Sequence, residues 1–265
     1  MKNERAEVNG VTLSYTLSGP PVAGGRSPAI LLHDWMGRRT FWKETIQAIA
    51  AERTVLALDF RGHGNSGTPQ DGYTIEQLAA DVVGLMDQLQ IDRATIIGHS
   101  MGGMVAQQLA VSYAPRVSGL GLVTTIAVDS QNQLISKRIA ADAKRLGFRA
   151  AFGQHFSQWI GQKGGLATMA WVRREMLRTS ETVALALVES YSGFDLREHL
   201  PSVSALTLVV AATADVSAIP SESELLAQLI PQARLMTIDG CGHFPMLEAP
   251  AELNRLIARF LKHVA

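Results

Sequence analysis

The sequence has a single cysteine, no excess of either charge and no long apolar run. Cys241 stands alone among 265 residues, which excludes an internal disulfide framework and a zinc site of several cysteines. The 24 basic residues balance the 24 acidic ones, so we expect neither nucleic acid nor an anionic membrane as a partner. No apolar run reaches the roughly 18 residues of a membrane span, and residues 1–8 do not resemble a signal peptide. We therefore expect a soluble cytoplasmic protein.

Short apolar runs alternate with helical periodicity along most of the chain. Hydrophobic residues make up 47% of the sequence, which excludes a disordered chain and suffices for one large domain. Apolar residues recur at helical spacing from Ile75 to Leu89, where Thr74 and Gln77 match a capping box, and again from Leu253 to Val264. The alternation predicts an α/β fold with a mostly parallel sheet. Its strands, buried on both faces, are expected at residues 29–32, 54–58, 94–97, 120–124, 206–211 and 235–238.

Two segments depart from this alternation. Residues 7–17 alternate apolar and polar side chains around Asn9-Gly10, a dipeptide that favours a tight hairpin turn. From about residue 127 to residue 200 the chain contains no convincing strand but several segments of helical periodicity. We therefore predict an antiparallel hairpin at the start, and a helical cap over residues 127–200 inserted between two parts of the core, 1–126 and 201–265.

One segment carries a strong chemical signal. An apolar strand runs into residues 98–102, Gly-His-Ser-Met-Gly, and then into a helix. A sharp strand-to-helix turn needs small residues on both sides of the serine, and it exposes the serine hydroxyl at the carboxyl edge of the sheet. The N-terminus of the following helix points backbone N–H groups at the same place. We interpret Ser100 as a nucleophile, and the alternative is an ordinary glycine-rich turn.

A serine nucleophile needs a base, an acid that orients the base, and donors for a developing oxyanion. His243 lies in a loop between the last strand and the last helix, at the sheet edge of the serine, and is the expected base. Asp215 follows a later strand and gives the chain order Ser, Asp, His, whereas Asp129, beyond an earlier strand, is the alternative acid. The oxyanion donors are expected from the N–H of Met101 and from the loop at residues 33–37.

These motifs, together with residues 59–66 (Asp-Phe-Arg-Gly-His-Gly-Asn-Ser), resemble the α/β-hydrolase superfamily. Within it the chain is most similar to small bacterial esterases, cofactor-free haloperoxidases and 3-oxoadipate enol-lactonases. The resemblance implies an eight-stranded sheet with a helical cap, no metal or organic cofactor, and Trp35 as the second oxyanion donor through its backbone N–H. A serine at position 100, where haloalkane dehalogenases and epoxide hydrolases have an aspartate, argues against both of those activities.

The sequence departs from the family pattern beside the expected oxyanion hole. The usual His-Gly-x-x-Gly reads His-Asp-Trp-Met-Gly at residues 33–37, so Asp34 replaces a glycine. Aspartate tolerates positive φ better than most residues, which favours an unchanged backbone. Two interpretations of Asp34 stay open: a local hydrogen bond to the loop backbone, or a carboxylate at the pocket mouth that contacts substrate or water. A carboxylate there counts against anionic substrates.

Other conspicuous side chains are expected to be structural. Asp59 and Arg61 are interpreted as an ion pair within their loop, and Cys241 as a small buried residue. Some large apolar residues of the cap must face an apolar pocket, but the pattern does not distinguish them from cap core. The candidates are Phe152, Phe156, Trp159, Met169, Trp171, Met176, Tyr191 and Phe194.

The residues together predict a serine hydrolase that cleaves a small carboxylic ester or lactone through an acyl-enzyme. The same machinery leaves other reactions open. These are C–C bond hydrolysis of β-diketone-like ring-fission products and a cofactor-free perhydrolase, amidase or oxygenase reaction. A non-catalytic signalling protein that binds a ligand within a hydrolase-like shell is the remaining alternative. The acyl group and the oligomeric state do not follow from the sequence.

Overall fold

An eight-stranded sheet organises the computed structural model, which describes residues 2–21, 26–129, 135–191 and 193–264. Its strands are Lys2–Val8 (β1), Val11–Ser18 (β2), Ala29–Leu32 (β3), Val55–Asp59 (β4), Ala94–His99 (β5), Val117–Val123 (β6), Leu206–Ala212 (β7) and Ala233–Ile238 (β8). They lie in the order β1-β2-β4-β3-β5-β6-β7-β8. Strands β3 to β8 pair in parallel, and β1 and β2 are antiparallel to their neighbours. The predicted α/β fold with a mostly parallel sheet is confirmed.

A tight turn joins the two antiparallel strands at the start of the chain. Strands β1 and β2 pair from Val8 opposite Val11 outwards. The two residues between them, Asn9 with φ of 48° and Gly10 with φ of 75°, are left-handed. Asparagine and glycine adopt this conformation more readily than other residues. The predicted hairpin is therefore confirmed.

Helices cover the sheet and connect its parallel strands. The capping box predicted at the start of the helix that begins at Ile75 is half correct. The Thr74 hydroxyl accepts a hydrogen bond from the N–H of Gln77. In a complete capping box the Gln77 side chain would also accept from the Thr74 N–H, but here its NH₂ group donates to the buried carboxylate of Asp81. Three helices that the apolar pattern did not predict are short, at seven, ten and four residues. The helices of the core are Lys43–Ile49 (α1), Ile75–Gln88 (α2), Met101–Ser112 (α3), Pro220–Leu229 (α8), Pro245–Glu248 (α9) and Pro250–Leu261 (α10).

Further helices lie between β6 and β7, where the sequence predicts a helical insertion. They are Ile135–Leu146 (α4), Phe148–Phe156 (α5), Leu166–Met176 (α6) and Glu181–Ser190 (α7). The first of them was expected to begin at Leu134, which lies outside the described residues. No helix within the described ranges is both long and apolar enough to cross a bilayer. The division into core and cap at residues 127 and 200 stays a prediction.

The centre of the sheet is buried on both faces. Every residue of β3, β4 and β5 is buried, as expected for parallel strands covered by helices on each side. Such sheets place their ligand sites beyond the carboxyl ends of the strands. The loops after β3, β5, β7 and β8 carry the residues predicted to act, and all of them leave the same edge.

The expectation that Asp59 and Arg61 form an ion pair is wrong. The Asp59 carboxylate accepts from the Arg39 guanidinium and from the N–H groups of Arg39 and Asn65. The Arg61 guanidinium instead makes two hydrogen bonds, of 2.6 and 2.8 Å, to the carboxylate of Asp81 in α2. Asp59 ends strand β4 and faces the loop after β3, whereas Arg61 lies in the following turn and faces α2. Proximity in sequence therefore misidentified both partners.

Candidate active site

Ser100 occupies the predicted turn between β5 and α3. Its backbone is strained, with φ of 51° and ψ of −117°, a conformation that serine rarely adopts. The turn closes tightly, because a Cβ on Gly98 would lie 2.0 Å from the carbonyl oxygen of Gly102. A Cβ on Gly102 would lie 2.5 Å from the carbonyl oxygen of Leu32. Ser100 is partly exposed, while its neighbours on both sides are buried.

His243 and Asp215 are joined by a hydrogen bond between buried side chains. The His243 Nδ1 lies 2.8 Å from Asp215 Oδ2. The other carboxylate oxygen, Oδ1, accepts from the N–H groups of Ser217 and Ala218 at 2.8 and 3.2 Å, which fixes the carboxylate. A carboxylate can only accept, so Nδ1 carries the proton and Nε2 carries the lone pair. His243 and Ser100 line the same pocket.

The alternative acid lies elsewhere. The Asp129 carboxylate pairs with the ammonium of Lys137 in α4, and its N–H donates to the carbonyl oxygen of Phe194. The structure thus brings His243 together with Asp215 and leaves Asp129 in contact with the inserted helices.

The environment of His243 sets its protonation in two opposing ways. Burial alone would lower its pKa, because it disfavours the charged ring. The charge of Asp215 and its hydrogen bond outweigh burial, with smaller contributions from Asp34 and Glu248, and the pKa is raised above the ordinary 6.5. His243 is therefore a stronger base than a free histidine.

Two neighbouring buried histidines, His33 and His63, form hydrogen bonds to backbone atoms and do not line the pocket. His33 donates from Nδ1 to the Asp34 carbonyl oxygen, and its Nε2 accepts from the Phe60 N–H at 3.0 Å. His63 similarly connects the carbonyl oxygen of Arg61 to the N–H of Met36. Burial lowers the pKa of both His33 and His63, so both rings stay neutral and retain one acceptor nitrogen.

The loop after β3 is anchored to the inserted helices. The Trp35 indole N–H donates to the carbonyl oxygen of Ala184 at 2.9 Å, and the Thr179 hydroxyl donates to that of Met36 at 3.3 Å. Met36 takes the left-handed conformation of this loop, with φ of 60°. Trp35 and Met101 line the pocket beside Ser100. Met101 begins α3, so its N–H has no acceptor within the helix.

Glu248, which sequence reasoning missed, holds the backbone around His243. One carboxylate oxygen accepts from the N–H of Gly161 at 2.8 Å and of Gly242 at 3.1 Å, and the other accepts from Phe244 at 2.9 Å. The two glycines meet so closely that a Cβ on Gly242 would lie 2.3 Å from the Gly161 nitrogen. The sequence contains only a weak signal for this role of Glu248, namely an acidic residue five positions after His243.

The Glu248 carboxylate yields a stability prediction. In Glu248→Gln, the side-chain NH₂ must face at least one of the backbone N–H donors, so the free energy of unfolding should fall by about 2 kcal/mol. Urea denaturation measures this loss. The matched control is Glu252→Gln, which removes a half-exposed pair with Lys163 and should cost less than about 0.5 kcal/mol. Equal losses in the two variants would contradict the assigned role of Glu248.

Asp34 lies in the pocket wall. Although it replaces a glycine of the family pattern, its backbone does not have positive φ. The residue of this loop that has positive φ is Met36. No hydrogen bond joins the Asp34 carboxylate to the loop backbone within the described residues, and the Oδ1 atom is buried without a partner. The His99 Nδ1 lies 3.8 Å from that oxygen, beyond hydrogen-bond distance. The local hydrogen bond, the first of the two interpretations, is therefore absent.

The pocket joins the sheet edge to the inserted helices. The pocket is narrow: the centre of a water-sized sphere has about 20 Å³ in which to move, and the space including the open mouth is about 390 Å³. Two of the candidate cap aromatics line it, and others, such as Phe152 and Phe156, are buried in the core. Among the residues that the structure describes, no group of three His, Cys, Asp or Glu side chains is placed to hold a metal ion. The pocket lining includes Asp34, Trp35, Ser100, Trp159, Tyr191 and His243.

The strand order, with a serine at the sharp turn after β5, defines the class of α/β-hydrolase folds. Residues 29–256 match the model of the alpha/beta hydrolase family, and the chain belongs to that family. The resemblance drawn from the motifs and the expectation of a hydrolase are both confirmed.

Known relatives are similar over nearly the whole chain. The 3-oxoadipate enol-lactonase 2 of Acinetobacter baylyi is 26% identical over 256 residues, which cover 95% of this chain and 94% of the relative. Among solved structures, the enol-lactonase from Burkholderia xenovorans is 30% identical with a TM-score of 0.90, covering 98% of this chain and 100% of that one. A thermophilic esterase from Thermogutta terrifontis is 26% identical with a TM-score of 0.87, covering 99% and 98%.

Proposed function

We propose that the protein is a serine hydrolase that cleaves a small carboxylic ester or lactone through an acyl-enzyme on Ser100. One observation carries the proposal. The hydrogen bond of 2.8 Å from His243 to Asp215 leaves the lone pair of Nε2 available in a pocket that Ser100 also lines. The named enol-lactonase and esterase relatives support an ester or lactone as the substrate.

The proposed reaction has two halves. His243 Nε2 accepts the Ser100 proton while the Ser100 oxygen attacks the substrate carbonyl, and the N–H groups of Met101 and Trp35 stabilise the oxyanion. The proton then passes from His243 to the leaving alkoxide, and the acyl group stays on Ser100. In the second half His243 takes a proton from water as the water oxygen attacks the acyl-enzyme, and His243 then gives that proton to the Ser100 oxygen as the acid is released. Asp215 holds the tautomer throughout.

We also propose that residues 127–200 form a cap domain between the two parts of the core. This segment supplies Trp159 and Tyr191 to the pocket wall. The carbonyl oxygen of Trp159 accepts from the N–H of His243 at 2.7 Å, so the cap also supports the proposed base.

Hydrolysis of short esters by the purified protein tests the proposed function. We expect turnover of p-nitrophenyl acetate or butyrate, or of a small lactone, and complete loss of turnover after treatment with a fluorophosphonate. Absence of both turnover and fluorophosphonate labelling would refute the proposal and favour the non-catalytic binding protein.

The pH dependence follows from the state of His243. The ring must be neutral to accept the Ser100 proton, so kcat/KM should fall as the pH drops through the raised pKa of His243. We expect an acid limb with its midpoint above 6.5, measured with a neutral ester between about pH 5 and about pH 9. A rate that stays constant across this range, or rises on acidification, would be inconsistent with His243 as the base.

A further inference from the structure

Among the described residues of the pocket lining, three buried polar atoms have no hydrogen-bond partner. They are Oδ1 of Asp34, the indole Nε1 of Trp159 and the hydroxyl of Tyr191. These residues are only 2%, 3% and 2% exposed. An unsatisfied buried polar group destabilises the folded state, and native proteins leave few of them. Three in one pocket indicate the place where a bound group completes the hydrogen bonds.

The chemistry of these atoms restricts that group. The Asp34 carboxylate only accepts, the Trp159 indole only donates, and the Tyr191 hydroxyl does either. A bound carboxylate would accept from Trp159 and Tyr191 but would be repelled by the charge of Asp34. An ammonium group would satisfy Asp34 and leave Trp159 without an acceptor. A hydroxyl group donates to Asp34, and its two lone pairs can accept from both Tyr191 and Trp159.

The surroundings of Asp34 favour a neutral donor over an internal counter-charge. The described residues of the pocket lining include no lysine or arginine. The Nε2 of His99 donates to the His243 carbonyl oxygen at 2.6 Å, and its Nδ1 lies 3.8 Å from Asp34 Oδ1, beyond hydrogen-bond distance. Burial, and then the nearby Asp34 charge, raise the pKa of Tyr191 well above 10. Tyr191 thus keeps its proton, and its hydroxyl makes no hydrogen bond to Asp34.

The three residues adjoin the groups that are proposed to act on the substrate carbonyl. Asp34 directly precedes Trp35, whose N–H is the proposed oxyanion donor. The Trp159 ring stacks on the His243 ring, with centroids 5.8 Å apart and an angle of 21° between the planes. A group bound by both residues therefore lies within a few bonds of the carbonyl carbon.

We propose that Asp34, Tyr191 and Trp159 form a subsite that binds a hydroxyl group on the acyl part of the substrate, next to its carbonyl or one carbon further. The preferred substrates are then hydroxy esters or hydroxylated lactones. This inference rests on the proposed serine hydrolase function, and it names the substrate class of the same site.

Matched esters of one acyl frame test the subsite in the native protein. The main series is ethyl butanoate with a hydroxyl, methyl, ammonium or carboxylate group on carbon 3. A second pair, ethyl 2-hydroxypropanoate and ethyl 2-methylpropanoate, places the hydroxyl on carbon 2. Each kcat/KM, from acid release in a pH-stat, is divided by the alkaline hydrolysis rate of the same ester. We expect at least one hydroxy ester to exceed its methyl counterpart about 10-fold or more, and the carboxylate to react slowest.

Variants then test the residues. Asp34→Asn and Tyr191→Phe should each reduce the preference for hydroxyl over methyl to a few-fold, mainly by slowing the hydroxy ester. Tyr73→Phe is the matched control, because Tyr73 is a buried tyrosine outside this pocket whose hydroxyl donates to the Pro69 carbonyl oxygen. This control should retain the native preference.

The outcomes separate this inference from the proposed function. If the native protein hydrolyses methyl and hydroxy esters equally, or prefers the ammonium or carboxylate ester, the subsite is refuted and the serine hydrolase stands. A hydroxyl preference that persists in both pocket variants would also refute the assignment to these residues. If no ester is hydrolysed and a fluorophosphonate does not label Ser100, both proposals fail.

Discussion

Replacing Ser100 by alanine should lower kcat/KM for a p-nitrophenyl ester by about 10⁴-fold or more. The variant lacks the oxygen that forms the acyl-enzyme, so His243 can only activate water, and the oxyanion donors and pocket provide the remaining rate. The fold should persist, because the neighbouring glycines and the Ser100 backbone make the turn. Initial rates over a range of ester concentrations, with a thermal unfolding curve for each protein, measure both effects.

The matched control for this substitution lies on the same helix. Ser112 is exposed at the far end of α3, where its hydroxyl accepts from Gln108 at 2.8 Å. Ser112→Ala should retain the native kcat/KM. If Ser100→Ala also kept most of the activity, Ser100 would not be the nucleophile and the proposed mechanism would be wrong.

The second large effect is expected for Asp215→Asn, which should lower kcat/KM by about 10⁴-fold. The Asp215 Oδ1 accepts from two backbone N–H groups, of Ser217 and Ala218, so the single oxygen of asparagine should be held there. Its NH₂ group then faces Nδ1 of His243, which must become the acceptor. The proton moves to Nε2, and His243 can no longer take the proton of Ser100.

Asp129→Asn is the matched comparison. Its carboxylate pairs with Lys137, and the variant should stay within a few-fold of the native kcat/KM. Full activity in Asp215→Asn together with a large loss in Asp129→Asn would reverse the assignment of the acid. The pH profile adds a second measurement, because removing the Asp215 charge should move any remaining acid limb to lower pH.

Local patterns predicted much of the fold. Asn9-Gly10 determined the hairpin because few residues adopt left-handed φ easily. The buried strands were visible as continuous apolar runs, and their boundaries shifted by only a few residues. The short helices α1 and α8 were missed because seven and ten residues provide little periodic signal.

Long-range contacts could not be predicted from the sequence. The order of Ser100, Asp215 and His243 along the chain indicated their meeting, because the carboxyl ends of parallel strands share one edge. No such rule places Gly161 against Gly242, or Glu248 between them, since that approach depends on how the inserted helices pack. The same holds for Tyr191 and Trp159, which composition alone does not separate from the other aromatic residues of the insertion.

The proposed mechanism depends on Ser100 as a nucleophile that His243 activates. The most direct test is mass spectrometry of the native protein after reaction with a fluorophosphonate, with the adduct located by sequencing the modified peptide. We expect one adduct, on Ser100, whose rate of formation falls with decreasing pH along the acid limb of the esterase activity. An unmodified protein, or an adduct on any other residue with Ser100 free, would contradict it.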